Sequence, residues 1–428
     1  MKNLYWKISI LILIFFLCLF INIPFSDAFK INRPATIALP ITNHQLPITL
    51  DPPFYAEDQN RWVDSIMKKL SPDERIGQLF MVAAYSNKDA KHIAEITNLI
   101  KQNKIGGLIF MQGGPVRQAT LTNKYQKLSK VPLLIGMDAE WGLSMRLDSC
   151  VVYPRQMTMG AMQNDSLIYE MGNDMARQCK RLGVHISFSP DCDVNNNSKN
   201  PVIGSRSFGE NKYKVAEKAI MYMKGLQDNG VLACGKHFPG HGDTESDSHK
   251  TLPFISKSKE AMDTLELYPF KQLINAGIGS IMVAHLFVPS YDSTTNQATT
   301  LSKPVVTGLL KEQLAFKGLV ITDALNMKGV SDFYGPSEVD LKALLAGNDV
   351  LLFSGNVPKA IALIKVAISK GEISQNEIDL RCRKILMAKK WCGLNQRQLI
   401  NTKGLYNDLN KFSSQFLCRE MAEQAVTV

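Results

Sequence analysis

The stretch Gly318-Leu319-Val320-Ile321-Thr322-Asp323-Ala324-Leu325-Asn326-Met327 sets a short apolar, β-branched run between a glycine and a carboxylate. Such a run is too short for a core helix and has no polar alternation. It therefore reads as a strand buried on both faces, the kind that parallel sheets contain. The same event recurs at Leu79–Ala84, Gly107–Met111, Leu133–Met137, His185–Ser189, Leu232–Gly235, Ser280–Ala284 and Val350–Phe353, with a longer helical stretch after each. Eight strands alternating with helices predict an α/β fold, a closed (β/α)8 barrel of the TIM type.

A doubly wound open sheet is the alternative, but it would gather functional residues at one switch point. Here polar residues follow many strands. Asp138 and Glu140 follow the third run, Asp191 and Asp193 the fourth, Lys236 and His237 the fifth, His285 the sixth and Asp323 the seventh. Chemistry spread over many strand ends is the pattern of a barrel's catalytic face.

Around this unit, Arg61 to Leu70 is amphipathic, and Ser71-Pro72-Asp73-Glu74 is a helix-start signal. Pro358–Lys370 and Gln375–Lys390 read as helices on the barrel exterior. The barrel domain is placed at residues 61–395. Residues 29–60, rich in Pro, Thr and Asn, are expected to be a surface extension. Residues 396–428 form a carboxyl-terminal segment ending on Ala425-Val426-Thr427-Val428, a β-like run.

Residues 1–28 have a different character. Lys2 and Lys7 precede the apolar run Ile8 to Ile23, which ends at Pro24 and the small-residue stretch Ser26-Asp27-Ala28. This is a signal peptide pattern with cleavage after Ala28, so export to the periplasm or outside the cell is expected. The run is shorter than the roughly twenty residues of a bilayer span. An uncleaved anchor is the alternative, and the sole membrane contact expected. Cys18 lacks the small residues of a lipoprotein signal before it. The other seven cysteines form no close pair, which argues against a disulfide framework and a structural zinc site. The formal charge of +10 is diffuse, without a basic block, and reads as solvated surface rather than a nucleic-acid face.

The densest polar segment runs Lys236-His237-Phe238-Pro239-Gly240-His241-Gly242-Asp243-Thr244-Glu245-Ser246-Asp247-Ser248-His249. Its glycines and proline predict a loop presenting three His, two Asp and one Glu to a common space. Metal binding is one use of such a set, but His237 and His241 are four apart, and Pro239-Gly240 between them opposes the helix that spacing suits. Proton transfer is the other: Asp247 could orient His249 and raise its pKa, making it a general acid near neutral pH. Asp323, at the end of a buried strand, suits a nucleophile, or else a cap for the following helix.

These segments resemble glycoside hydrolase family 3, in particular its β-N-acetylglucosaminidase branch, from roughly Arg61 to Leu394. The loop Lys-His-Phe-Pro-Gly-His-Gly-Asp-Thr followed by Asp-Ser-His, complete from Lys236 to His249, carries the resemblance most specifically. Asp138-Ala139-Glu140-Trp141-Gly142 with Arg146 is similar to the family's Asp-x-Glu-Gly-Gly and downstream Arg, with Trp141 standing where a glycine is commoner. Asn200-Pro201-Val202-Ile203-Gly204 with Arg206-Ser207-Phe208-Gly209 matches a further sugar-binding loop.

The resemblance implies that Asp323 is the nucleophile and that His249, paired with Asp247, is the acid/base. It implies that Asp138, Arg146, Arg206, Lys236 and His237 hold the sugar. Plainer readings stay open: Arg206 could pair with Glu210, and Asp138 could cap a helix. The expected substrate is a carbohydrate with terminal β-linked N-acetylglucosamine, from peptidoglycan or chitin. No metal and no organic cofactor is expected. A metal-dependent hydrolase built on the His-rich loop and a sugar-binding relative without catalysis are the alternatives. Relatives with a second domain continue from a segment like Glu423 to Val428, so this segment is expected to lead into one. Oligomeric state is not legible.

Overall fold

The computed structural model describes residues 49–248 and 251–426. The expected signal segment, His249 and Thr427-Val428 lie outside the described residues. The described chain holds eight strands: β1 (Phe80–Ala84), β2 (Gly107–Phe110), β3 (Leu134–Met137), β4 (Ile186–Ser187), β5 (Leu232–Phe238), β6 (Ser280–Val283), β7 (Leu319–Thr322) and β8 (Leu351–Leu352). Neighbours pair in parallel from β7 through β1 to β8. A single bridge between Ile321 and Val350 brings β7 against β8, so the sheet is a nearly closed (β/α)8 barrel.

The strands' apolar runs have a direct physical consequence. β2, β3, β6 and β7 are buried at every position, because the barrel interior takes one face and the surrounding helices take the other. The closing seam between β7 and β8 is tied by a buried carboxylate rather than by a long ladder. Asp349 accepts from the Val320 amide at 2.9 Å and pairs with Lys311 at 3.1 Å and Lys384 at 3.0 Å. Burial pushes the Asp349 pKa up, but Lys311, Lys384 and Arg381 outweigh it and keep the group ionised.

Most helix starts follow the signals in the sequence. Ser71 and Glu74 form a reciprocal capping box with Pro72 at the first helical position, and Ser374 with Glu377 repeats the box on Gln375–Trp391. No helix among the described residues is long and apolar enough to cross a membrane.

Both flanks of the barrel are packed against it. The stretch before residue 60 is not a free extension over its described part, since Phe54 is fully buried and the Leu50 amide donates to Asn275 at 3.0 Å. Arg383 fastens the stretch to the barrel through Asp58 at 3.0 Å. The carboxyl-terminal segment is helical as far as Ala425; of the run Ala425–Val428 expected to be β-like, Val426 is extended and Thr427-Val428 lie outside the described residues. Leu405–Leu409 and Phe412–Ala425 lie along the barrel flank, where Met421 is buried and Arg181 pairs with Asp408 at 2.8 Å. Ahead of Val426 the residues carry no period-two alternation, and Arg419 and Glu423 pair one helical turn apart.

Under the amino-terminal ends of the strands, Lys389 is fully buried with Gln78 Oε1 at 2.7 Å as partner. Burial pulls its pKa down to about 7. A lysine whose folded pKa is depressed costs stability progressively as pH falls from the unfolded value toward the folded one. Lys389→Met is therefore expected to gain stability over the parent at pH 7 and to lose most of that gain by pH 10. The difference should be a few kcal/mol by denaturant unfolding at the two pH values. An equal effect at both would show that Lys389 is not strained by its charge.

Candidate active site

Because all eight strands run the same way, their carboxyl ends share one face, and there the polar side chains form a connected network. From the end of β3, Asp138 accepts from Arg146 at 2.5 Å and from Lys236 at 3.1 Å. Glu140, buried beside it, is held at both carboxylate oxygens by Arg206, at 2.7 and 2.9 Å, and by Lys236 at 2.9 Å. Arg206 continues to His237 Nε2 at 3.2 Å. Arg206 thus turns inward to Glu140 and not to Glu210, and Asp138 is in a charge cluster rather than on a helix cap.

Each charge in this cluster is fixed by the others. Burial disfavours ionised Glu140, but the Arg206 and Lys236 charges hold its pKa well below the ordinary value. Asp138 is lowered likewise, by Lys236 and Arg146 against its burial. Burial also works against charged Arg206 and Lys236, and the facing carboxylates push both pKa values up. Removing one member of such a buried set leaves an uncompensated charge, typically a loss of about 3–5 kcal/mol.

Lys236 and His237 reach this cluster from a strand, which corrects their placement in a loop. β5 runs through Phe238, and the Cys192 amide donates to the Lys236 carbonyl. Buried salt-bridge partners make these polar residues compatible with a strand interior, which the residue types alone do not signal. Asp193 accepts from both the backbone and the Nδ1 of His237, at 3.2 and 2.8 Å, and from the His241 amide at 2.6 Å. A carboxylate accepts and a guanidinium donates, so His237 donates from Nδ1 and accepts at Nε2.

Among the described residues, Asp191, Asp193 and His237 are the group whose ligand atoms lie within 4.8 Å of one another, as a metal site would need. Asp193 and His237 Nδ1 are committed to each other, however, and the free Asp191 oxygen faces the Arg206 guanidinium at 3.7 Å. Burial and the Asp193 charge push the Asp191 pKa well above the ordinary carboxylate value. A cation entering here would have to break the Asp193 bonds and would meet Arg206, so the geometry suits positioning of His237 better than metal ligation.

The loop after β5 is built around His241. This side chain is buried, bonded to Thr244 Oγ1 at 2.8 Å and Ser248 Oγ at 3.1 Å, and burial brings its pKa down to about 4. It serves the loop rather than a common catalytic space. Asn200 reinforces the turn by donating to the carbonyls of His241 and Gly242 at 2.8 and 3.1 Å. At Gly242 a Cβ would lie 1.8 Å from the Val194 carbonyl, so glycine is required. Asp243 turns outward to Lys257 at 3.0 Å and Glu245 is exposed, so the loop does not aim all its acids inward. Asp247 is half-buried, and its carbonyl accepts from the Thr251 amide at 3.0 Å.

Asp323 stands at the end of β7. Its Oδ1 accepts from the Ala324 amide at 2.7 Å, and the next helix starts only at Lys328, so it is not that helix's cap. Burial raises its pKa, but His285, His237, the Ala324 amide and Lys236 together bring it below the ordinary value. The carboxylate is thus ionised and faces the cluster from β3 and β5.

His285 was visible in the sequence as a strand-end residue without a role. Its Nε2 donates to the Ala324 carbonyl at 3.0 Å and its Nδ1 meets Thr300 Oγ1 at 2.8 Å. The Thr300 hydroxyl donates to the Ala284 carbonyl at 2.5 Å, which leaves its oxygen to accept. Donation from both ring nitrogens is the pattern of a charged imidazole, matching its pull on Asp323. Glu140 and Asp193 are likewise central to the geometry. Their position two residues beyond Asp138 and Asp191 is the one signal the sequence offers for them.

Residues 71–388 match the description "Glycosyl hydrolase family 3 N terminal domain". The chain belongs to glycosyl hydrolase family 3. It is 34% identical over 281 residues to Beta-hexosaminidase A of Pseudoalteromonas piscicida, covering 60% of this chain and 47% of that protein. It is 31% identical over 327 residues to Beta-hexosaminidase LpqI of Mycobacterium bovis, covering 72% and 80%. The solved glycoside hydrolase family 3 beta-N-acetylglucosaminidase from Paenibacillus sp. superposes with a TM-score of 0.77 at 33% identity, over 83% of this chain and 69% of that one. The chain thus spans about half of the first relative and most of the second.

Gly329, just beyond Asp323, supplies a test of how the loop is seated. Its amide donates to the Ser248 carbonyl at 3.3 Å, and a Cβ there would lie 3.0 Å from the carbonyls of both Ser248 and Thr251. Gly329→Val is expected to lift the end of the loop and lower kcat on a saccharide substrate by about 10²-fold, within the range of acid/base help. KM and the unfolding midpoint should change little. Unchanged kcat would show that the loop end does not need this seat.

Proposed function

We propose that this chain is a retaining exo-β-N-acetylglucosaminidase, a β-hexosaminidase that releases terminal β-linked N-acetylglucosamine from carbohydrate. The observation that carries this reading is the ionised Asp323 at the end of β7, facing a fixed set of donors from β3 and β5. The names and overlap of the relatives support the same substrate class.

In this reading Asp138, Arg146, Arg206, Lys236 and His237 hold the hydroxyls of the terminal sugar while Asp323 attacks the anomeric carbon. His249, assisted by Asp247, gives a proton to the departing oxygen and then takes one from water, or admits phosphate, to release the sugar from Asp323. A His–Asp pair in place of the usual second carboxylate is the family trait that the 236–249 segment carries. The substrate would be a peptidoglycan fragment or chitooligosaccharide met after export, as the amino-terminal pattern suggests. No cofactor enters this mechanism.

Leaving-group dependence separates the two roles. Asp323→Ala is expected to lose activity on every glycoside. His249→Ala should retain far more activity on a dinitrophenyl glycoside, whose leaving group hardly needs a proton, than on a disaccharide. The gap should be about 10²–10⁴-fold. On the dinitrophenyl substrate the His249 variant should also show a burst, with sugar trapped on Asp323, as deglycosylation becomes limiting. Equal losses on both substrates without a burst would remove His249 from the acid/base role.

A further inference from the structure

Above β5 and β6 the chain crosses itself once more. Phe254 and Phe287 pair through a parallel bridge in which the Ile255 amide donates to the Phe287 carbonyl at 2.9 Å and the Phe287 amide to the Pro253 carbonyl at 2.7 Å. Paired residues of a bridge place their side chains on the same side, and their chain neighbours on the other. The neighbours Ile255, Leu286 and Val288 are buried with Ala284 and Met262 in a small separate core. Phe254 and Phe287 take the opposite side, with ring centroids 5.8 Å apart and tilted by 45°. Phe254 is 55% exposed.

Single exposed apolar residues are ordinary, but this pair has a position that gives it meaning. Two residues before Phe287, on the same side of that segment, is His285, whose Nε2 reaches the carbonyl next to Asp323. Phe254 closes the loop whose Ser248 and Thr251 carbonyls face Gly329. The two rings therefore stand at the rim between the nucleophile's strand end and the loop that follows β5. The groups assigned to the terminal sugar come from β3, the segment after β4, and the end of β5. A proton donor must face the glycosidic oxygen, so whatever is attached to that oxygen must extend past the loop, toward these rings.

We propose that Phe254 and Phe287 form a stacking platform for the leaving-group sugar, a β-linked pyranoside that lays its apolar C–H face on the rings. This rests on the assignment of Asp323 and the 236–249 segment to catalysis. Each ring offers a flat apolar face of the kind a pyranose covers, the two inclined to one another by 45°, while neither ring offers a hydrogen-bond partner to a phosphate.

The test compares two substrates that share the terminal sugar. In the β-1,4 disaccharide of N-acetylglucosamine the leaving group reaches the platform; in N-acetylglucosaminyl fluoride it does not. Phe254→Ala and Phe287→Ala are expected to lower kcat/KM on the disaccharide by about tenfold each, mostly through KM, and to change the fluoride by less than about twofold. Phe254→Tyr, which keeps the ring, should restore disaccharide activity. Parallel loss on both substrates would overturn the proposal by making the rings supports of the loop, and so would no loss on either. An unaltered enzyme that fails to turn over the fluoride at all would overturn the catalytic assignment, and the platform with it.

Discussion

The two-oxygen grip of Arg206 on Glu140, shared by Lys236, is the constraint on which the rest of the catalytic face depends. Arg146, Arg206 and Lys236 are three cations drawn to one strand-end face, and without Glu140 and Asp138 between them they would repel one another. Taking each ion out of water costs several kcal/mol, so the cluster is a poor device for stability alone. Its effect is to fix donors before any ligand arrives. Side chains bound at both ends need no reorganisation on binding a sugar, which is how preorganised polar groups favour a transition state.

This network also explains which parts of the site were legible in the sequence. The eight apolar runs were plain because a parallel strand buried on both faces admits few polar residues. The strand containing Lys236 and His237 was cut short for the converse reason: a lysine and a histidine in a row look like loop until Asp138, Glu140 and Asp193 are seen to neutralise them. Contacts across 44 to 98 residues, such as His237 with Asp193 and Lys236 with Asp138, leave no local trace. Asp243 and Glu245 were read as inward because the loop is dense in charge. Lys257, fourteen residues beyond Asp243, is what turns that carboxylate outward. The carboxyl-terminal helix shows the same limit, since the mixed polarity of Phe412–Ala425 carries no clear periodicity from which to read it.

The catalytic face is thus built in two mechanical styles. The side formed by β3, β4 and β5 is locked by ion pairs that span separate strands. The loop following β5 is organised locally instead, with His241 as an internal post that Thr244 and Ser248 lean on, and with Asn200 as the external brace. A histidine kept neutral by burial suits that task, because a charged ring there would need a counter-ion the loop does not supply at its centre. Under the proposed function this division would suit an exo-acting glycosidase, in which the terminal sugar is always the same and the group beyond it varies.

The setting of Asp323 bears on how the two chemical steps would share the work. Positive charge from His285 and Lys236 lowers the basicity of the carboxylate. A weaker base is a weaker nucleophile, but it is a better leaving group once it is esterified to the sugar. The same charges therefore slow attack in the first step and hasten release in the second. Under the proposed mechanism the first step recovers its rate from protonation of the departing oxygen, the step served by the loop following β5. The second step needs less help, since the departing carboxylate returns to cations already in place. In that mechanism the ion pairs would hold the sugar and the loop would carry the proton, two halves of one electrostatic design joined at Asp323.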